Sequence, residues 1–256
     1  MLRIDLILTE RKLAKSRSQA QAFIKAKRVS YKQDDKWLLT NKPSLILPSD
    51  IELKIAHDES DKYVSRGALK LEGALKHTQL NIQGFQVLDI GQSTGGFSDC
   101  ALQHGAAHIV GIEVGHDQLD KSLRNNKQIT CLEGVNARSL TAQDLGSNFP
   151  DNGFDLAVMD VSFISQTKIL PQLPDLLSSS GHLITLVKPQ FEVGPEFIGK
   201  GGIVKNTRRV EQLSRDIQAF VTELGFTVRT YIESPIKGGD GNREYLLWAS
   251  KQQSNY

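Results

Sequence analysis

Cysteine is nearly absent: Cys100 and Cys131 are the only two in 256 residues. One falls in an expected helix and the other in an expected strand. That placement offers neither a disulfide framework nor a metal-ligand cluster, so both read as free thiols of the interior. Long apolar runs are missing too. None approaches the ~18 residues that a membrane-spanning helix requires. The opening Met1-Leu2-Arg3-Ile4-Asp5 lacks the charged-then-apolar layout of a secretory signal. No internal repeat or low-complexity stretch occurs. These absences exclude disulfide-stapled, metal-clustered and membrane-spanning classes, and they lead to the expectation of a cytoplasmic chain.

What is present suffices for a packed core, with 39% apolar residues and a mean hydropathy of -0.30. The length fits one large domain, or a small domain followed by one of ordinary size. Net charge is only +2, but it is unevenly spread. Residues 1–32 carry nine Lys or Arg against two acids, leaving 22 basic and 27 acidic groups for the remainder. Such a basic end suits a module that meets a polyanion, although a solvated basic face has the same composition.

Apolar spacing in the basic end predicts two short helices, 3–13 and 17–27, with Ser16 and Ser18 as candidate caps of the second. Arg11, Lys12, Lys15, Arg17, Lys25, Lys27, Arg28 and Lys32 surround them. Alternating stretches at Trp37-Leu38-Leu39 and Ile51–Ile55 predict strands. This region resembles the S-four-type RNA-binding module, a small α+β fold whose helix pair presents basic groups to structured RNA. The tight Gly- and Asn-bearing turn usual after its second helix is missing from residues 28–42. The resemblance implies RNA contacts at Arg3, Arg11, Arg17, Lys25 and Arg28, with Arg66 just beyond. The expected organisation is a module over 1–57, a polar linker over 58–66, a main domain over 67–250 and a polar tail over 251–256.

The main domain opens with a predicted helix over 67–78. From residue 86 onward, apolar strands are predicted at 87–91, 109–114, 129–133, 154–160 and 183–188, with helices between them. An amphipathic helix over about 207–224 ends at Gly225. Strands 226–233 and 244–249 then pair as an antiparallel hairpin at the sheet edge. The expected class is therefore α/β, a Rossmann-type sheet with a terminal antiparallel hairpin.

Between the first core strand and its helix runs Asp89-Ile90-Gly91-Gln92-Ser93-Thr94-Gly95-Gly96. Glycines allow a sharp turn and close approach of a ligand, and the helix start beyond offers free N–H groups. Glu113 stands 22 residues past Gly91, where a carboxylate reaches the two hydroxyls of a nucleoside ribose. Asp89, Gly91, Ser93, Thr94, Gly95, Gly96 and Glu113 are thus candidate cofactor ligands, with Asn136 a candidate adenine contact. NAD uses the same geometry. The spacing is not G-x-G-x-x-G, which favours S-adenosylmethionine.

Four polar residues stand where such a sheet places its working groups. Asp160 ends the fourth strand, Lys188 the fifth, Glu244 begins the last, and Lys70 sits on the first helix of the domain. Lys70 alone would read as an exposed helix lysine. Lys188 follows Ile-Thr-Leu-Val, and a lysine so placed must be paired or functional.

Together, Tyr63–Leu71, Asp89–Cys100, Met159–Ser165, Val187–Phe191, Gly199–Val204 and Ser234–Leu246 resemble the motifs of the TlyA (haemolysin-A-like) family of ribosomal RNA 2′-O-methyltransferases, relatives of the FtsJ-type enzymes. The resemblance covers Arg3 to Trp248. It implies a Lys-Asp-Lys-Glu catalytic set at Lys70, Asp160, Lys188 and Glu244, S-adenosylmethionine as cofactor, no metal, and a cytidine ribose of 16S or 23S RNA as acceptor. Ribosomal RNA or a ribosomal subunit would be the partner, with no obligate protein partner. Gln92, Ala68 and Glu113 depart from the family's usual residues; none removes a catalytic group, and Gln92 is the one expected to alter the cofactor pocket.

A 2′-hydroxyl is scarcely ionised at neutral pH, so its proton must leave as the methyl carbon is attacked. A lysine serves as base only when its pKa falls, which burial and a neighbouring cation favour. Lys188 is read as that base and Lys70 as the cation beside it. Asp160 would align Lys188, and Glu244 would fix the lysines and the hydroxyl. Sequence leaves the two lysines interchangeable in these roles. An NAD-dependent oxidoreductase is disfavoured by the loop spacing and the basic module. A membrane-lytic protein is disfavoured by the lack of a strongly apolar amphipathic run, and a non-catalytic RNA chaperone by the Lys-Asp-Lys-Glu set.

Overall fold

The computed structural model describes residues 1–14 and 16–252. Lys15 of the basic run and residues 253–256 of the expected tail lie outside the described residues. The chain divides into two compact units, Met1–Asp61 and Lys62–Tyr256.

The first unit holds β1 (Leu2–Arg3), α1 (Ile4–Glu10), α2 (Arg17–Lys25), β2 (Val29–Gln33), β3 (Lys36–Thr40), β4 (Ile46–Leu47) and β5 (Leu53–Ile55). Ile4, Ile7 and Leu8 share one face of α1 and bury against Ala20 and Ile24 of α2. Ser16, not Ser18, caps α2 by accepting the Gln19 N–H. Both expected strands form, and the unexpected β2 lies between them, antiparallel to each. Sequence reading missed β2 because no Gly-Asn turn marks it. Instead Lys27 takes a left-handed φ of 57° after α2, and Asp34 and Asp35, at φ 48° and 59°, make the two-residue hairpin turn to β3.

Four of the residues expected to face RNA are engaged within this unit. Asp5 is fully buried, and Arg3, Arg17 and Gln21 donate to its carboxylate at 2.8–3.0 Å. Burial works against the Asp5 charge, but the hydrogen bonds of Arg3, Gln21 and Arg17 outweigh it and hold the carboxyl well below its ordinary range. Arg11 donates to the carbonyls of Ser49 and Ile51. Arg28 donates to Ala56 O and Asp61 and lies over the Phe23 ring. Lys12, Lys25 and Lys27 are exposed. The basic run is therefore partly structural.

The second unit holds α3 (Ala68–Thr78), β6 (Gln86–Ile90), α4 (Gly96–Gln103), β7 (His108–Glu113), α5 (Lys121–Arg124), β8 (Ile129–Glu133), α6 (Ala142–Leu145), β9 (Phe154–Met159), α7 (Leu173–Leu176), β10 (Leu177–Val187), α8 (Thr207–Glu223), β11 (Phe226–Glu233) and β12 (Tyr245–Lys251). Its sheet runs β11-β12-β10-β9-β6-β7-β8, and only β12 opposes its neighbours. The chain is thus α/β with a mostly parallel sheet, closed at one edge by the β11/β12 pair. Leu71, Leu75, Phe97 and Cys100 pack on one face over Val87, Ile109 and Ile184. Leu170, Leu173, Leu213, Ile217 and Val221 pack on the other over Leu88, Val110 and Leu183.

Three sequence expectations are corrected here. Helices do not fill every connection. α5, α6 and α7 are single turns of four residues, in segments whose Gly, Asn, Asp, Ser and Pro residues favour turns. The stretch read as a linker contains a 3-10 turn, Glu59–Lys62, started by Asp58 accepting the Ser60 N–H. Lys251, read as tail, belongs to β12 and donates to Pro174 O and Leu177 O. Among the described residues no helix is long and apolar enough to cross a membrane.

Asp5→Ala is expected to lower the stability of the first unit by about 2–3 kcal/mol. This is below the roughly 3–5 kcal/mol of a fully enclosed pair, because both arginines are partly exposed. Since the folded carboxyl titrates below its unfolded value, its contribution is full above about pH 4 and fades as pH falls further. Hydrogen exchange of the α1 and α2 amides at pH 7, faster in the variant by about two orders of magnitude, is the check.

Candidate functional site

Two glycines of the 91–96 loop set where the working residues stand. Gly91 has φ 79°, and a Cβ there would come within 2.9 Å of Asp160 O, so its bareness lets the loop lie against the end of β9. A Cβ on Gly96 would press on Ala68 N and Ser65 Oγ, so Gly96 admits the start of α3 to the start of α4. The loop therefore fixes the approach of both Asp160 and Lys70.

Beside the loop lie two cavities that share Gly91, Ser93, Asp160 and Ser162. The larger, about 680 Å³, is lined by Ile112, Glu113, Gln118, Asn136 and Phe163, among others. The smaller, about 210 Å³, is lined by Ser65, Thr94, Gly96, Phe97 and Lys188, among others. Glu113 ends β7 with its carboxylate pinned, one oxygen accepting Ser93 N–H and the other Gly115 N–H, both at 2.9 Å. Each oxygen keeps acceptor capacity for a further donor. Asn136 accepts the Arg138 N–H with its side-chain oxygen, which leaves its amide N–H groups for the cavity. Gly95 lines neither cavity; it faces Leu119 and Leu123.

Asp89 stands apart from the other candidate ligands. It is buried behind the loop, where Gln92 donates to Ser98 Oγ at 2.8 Å and Ser98 donates to Asp89 at 2.7 Å. Gln92 turns inward and fills the space that Gly111 leaves on β7. Gln92 also lines the smaller cavity, so the residue expected to alter the cofactor pocket borders it while supporting the loop from beneath. Burial, with smaller contributions from the Asp160 and Glu113 charges, overcomes the Ser98 hydrogen bond and pushes the Asp89 carboxyl up to about 7.

The four catalytic candidates converge. Asp160 and Lys188 end the adjacent parallel strands β9 and β10, and Glu244 precedes β12, the other neighbour of β10. Lys70, in the first turn of α3, reaches them from above the sheet. Lys70 Nζ lies 2.7 Å from Glu244 and 3.7 Å from Asp160, and Lys188 Nζ lies 2.5 Å from Asp160. The two lysines, together with Glu244, are nearly buried. Burying ammonium groups at such strand ends is costly without these partners. Two positive and two negative groups leave the cluster neutral overall.

Sequence reading missed two residues at this point. Ser162 accepts a hydrogen bond from Lys188 Nζ at 2.8 Å and so fixes the amine on the side facing the smaller cavity. A hydroxyl two residues past a strand-ending acid is the signal that could have found it. Phe163 has φ 64° and is 90% exposed at the mouth of the larger cavity, its ring 5.2 Å from that of Phe191. No sequence signal distinguishes it from a core phenylalanine. Arg66, exposed, precedes α3.

The FtsJ-like methyltransferase family matches residues 63–251. The chain is 39% identical over 250 residues to the 16S/23S rRNA (cytidine-2'-O)-methyltransferase TlyA of Mycobacterium tuberculosis, covering 98% of this chain and 90% of that protein. It is 36% identical to Hemolysin A of Brachyspira hyodysenteriae, covering 96% and 98%. A solved structure from Streptococcus thermophilus matches with a TM-score of 0.76 at 37% identity, covering 98% of this chain and 89% of that one.

The Asp89 network generates a pH test. The folded carboxyl holds its proton to about pH 7, whereas an unfolded one releases it near 3.9. Stability from this group is therefore full below about pH 4 and is lost as pH rises through 7. Melting curves from pH 5 to 8 should show a loss on the order of 3 kcal/mol in the wild type and a flatter profile in Asp89→Asn.

Proposed function

Because the chain belongs to the FtsJ-like methyltransferase family, we propose that it methylates the 2′-hydroxyl of a cytidine in 16S and/or 23S ribosomal RNA. S-adenosylmethionine is the donor. One observation carries this reading: two nearly buried lysines meet one strand-end carboxylate beside a cavity that fits a nucleoside. It agrees with the activity named for the mycobacterial relative.

The residues present suit this cofactor. A volume of about 680 Å³ lies in the range of small-molecule sites. Glu113 would take the ribose hydroxyls with its remaining lone pairs, and Asn136 would donate to the adenine. The smaller cavity, with Thr94 and Gly96 at the start of α4, would take the methionine end. Gly91, Ser93 and Asp160 border both cavities. Asp89 and Gly95 act through the loop's shape. When bound, S-adenosylmethionine supplies an electrophilic methyl group on a sulfonium.

The protein's own groups handle the acceptor. Lys188 borders the smaller cavity and Lys70 does not, so Lys188, after releasing its own proton to solvent, takes the 2′-hydroxyl proton as the ribose oxygen gains its methyl group. Asp160 and Ser162 hold the resulting ammonium in place. Lys70, anchored by Glu244, keeps positive charge beside the ribose oxygen and its phosphate. Phe163 offers an exposed ring face on which an unstacked base can rest.

The first unit is read as an S-four-type RNA-binding module. Its exposed Lys12, Lys25 and Lys27, with the free edges of Arg3, Arg11, Arg17 and Arg28, would meet phosphates, and Arg66 of the second unit would be a further phosphate contact. Whole subunits as well as free rRNA are compatible substrates, and the site of action is the cytoplasm. NAD, which similar glycine-loop geometry can hold, is the control ligand. A rise in melting temperature with S-adenosylmethionine and none with NAD separates the two.

Lys188→Ala should slow methyl transfer to rRNA by about 10²–10⁴-fold while cofactor binding persists. The Lys70→Ala, Lys188→Ala double variant should lose little more than the worse single one, since the groups act as a unit. Single-turnover assays with rRNA measure both, and a full-rate Lys188→Ala enzyme would remove Lys188 from the chemistry.

Charge reversal of Lys12, Lys25 and Lys27 should weaken rRNA binding and flatten its salt dependence, by about 0.7–0.9 in slope for every phosphate no longer neutralised. Filter binding across a salt series tests this, and calorimetry with S-adenosylmethionine should be unaffected. The three lysines bear no structural load comparable to that of Arg17 on Asp5, so the variant reports RNA binding and not unfolding.

A further inference from the structure

Apart from Glu244 itself, two of the motifs in the sequence, Gly199–Val204 and the Ser234–Leu246 stretch, have no part in the chemistry above. The fold ties them together. Asn242 is buried; its side-chain oxygen accepts Val204 N–H at 3.0 Å, and its amide donates to Gly202 O at 2.9 Å. Ile198 bridges Val204 across the base of the glycine loop, and Gly238 N–H closes the second turn on Asn242 O. The stapled loops wall a cleft of about 300 Å³ at the rim of the sheet, lined by Pro189, Lys205, Thr207, Arg243 and Tyr245, among others. Pro189 follows Lys188, while Arg243 and Tyr245 flank Glu244. The cleft therefore opens beside two members of the catalytic cluster.

Its charge is local and positive. Residues 197–210 carry Lys200, Lys205, Arg208 and Arg209 with no acid among them, in the part of the chain whose overall balance is acidic. Arg209 is occupied by Asp216 and the Phe197 ring. Lys200, Lys205 and Arg208 are exposed. Arg243 meets Glu233 at 3.7 Å, but their side chains are 67% and 49% exposed, and water screens such a pair. Asp240 is exposed in the neighbouring turn.

We propose that this cleft binds the phosphodiester backbone of the acceptor RNA next to the target ribose, an inference that rests on the RNA methyltransferase reading. The larger cavity lies over β6 and β7, the cleft over β10 and β12, and the catalytic cluster stands between them. A hydroxyl attacks a methyl carbon from the side opposite the departing sulfur. The acceptor strand therefore arrives from the side away from the cofactor cavity, which is where the cleft lies. A ribose at Lys188 brings its flanking phosphates to the rim, and Lys205 and Arg243 are the cations there.

The full-length Lys205→Gln, Arg243→Gln double variant tests this with 16S and 23S rRNA as substrates. The KM for RNA should rise about tenfold, with kcat and the melting shift given by S-adenosylmethionine unchanged. The salt dependence of RNA binding should flatten by about 0.7 in slope for each phosphate left without its cation. Lys205→Arg with Arg243→Lys should restore the KM. Lys127→Gln, an exposed charge between α5 and β8, should do nothing. A wild-type KM and salt slope in the double variant, or an equal loss in Lys127→Gln, overturns the cleft alone. A wild-type protein that methylates no rRNA overturns the parent reading and the cleft with it.

Discussion

Two ammonium groups can share the end of an apolar sheet only if carboxylates stand between them. At an effective dielectric near 20, unit charges about 4 Å apart interact by roughly 4 kcal/mol, enough to expel one lysine or to strip its proton. Asp160 resolves this by reaching both amines, 2.5 Å from Lys188 and 3.7 Å from Lys70, while Glu244 takes the second amine at 2.7 Å. The arrangement depends on strand order. Asp160 and Lys188 can meet because β9 and β10 are parallel neighbours, and Glu244 can join because β12 is inserted beside β10. Any other place for the last strand would leave Lys70 a buried cation without its nearest counter-charge.

Much of the support for this cluster comes from backbone positions that carry no chemistry. Gly91 and Gly96 let β9 and α3 press against the loop between them, so one turn positions both the larger cavity and the Asp160 and Lys70 side chains. Beneath it, the Gln92–Ser98–Asp89 chain replaces water with fixed partners. Glu113 ties the loop to β7 through two backbone N–H groups. The pocket is consequently largely formed before any ligand enters, which reduces the ordering cost of binding.

The first unit shows the same economy with arginine. A guanidinium has five donors, so Arg3 and Arg17 can neutralise buried Asp5 and still present N–H groups to solvent. On the reading proposed for this unit, folding and RNA binding would draw on the same side chains, while the exposed lysines are spared the structural duty. Charge counting from sequence could not divide the two roles, because it weighs a pinned guanidinium and a free ammonium alike.

Periodicity and strand-end polarity carried much of the second unit: the parallel strands, the α8 helix closed by Gly225, and Asp160, Lys188 and Glu244 at strand ends were legible as residues, whereas Lys70 entered only through the family resemblance. These signals are local, arising from alternation, caps and the cost of burying a lysine after Ile-Thr-Leu-Val. The short α5, α6 and α7 turns, the β2 strand and the inward turn of Gln92 were not legible, because tertiary contacts there override local propensity. Nor was the distance between Lys70 and Glu244, which are 174 positions apart in the chain. Sequence by itself determined which groups are present and which of them must be paired or satisfied. Only the tertiary structure decided which partner each one takes, since that depends on strand order and on close approaches permitted by the absence of a Cβ.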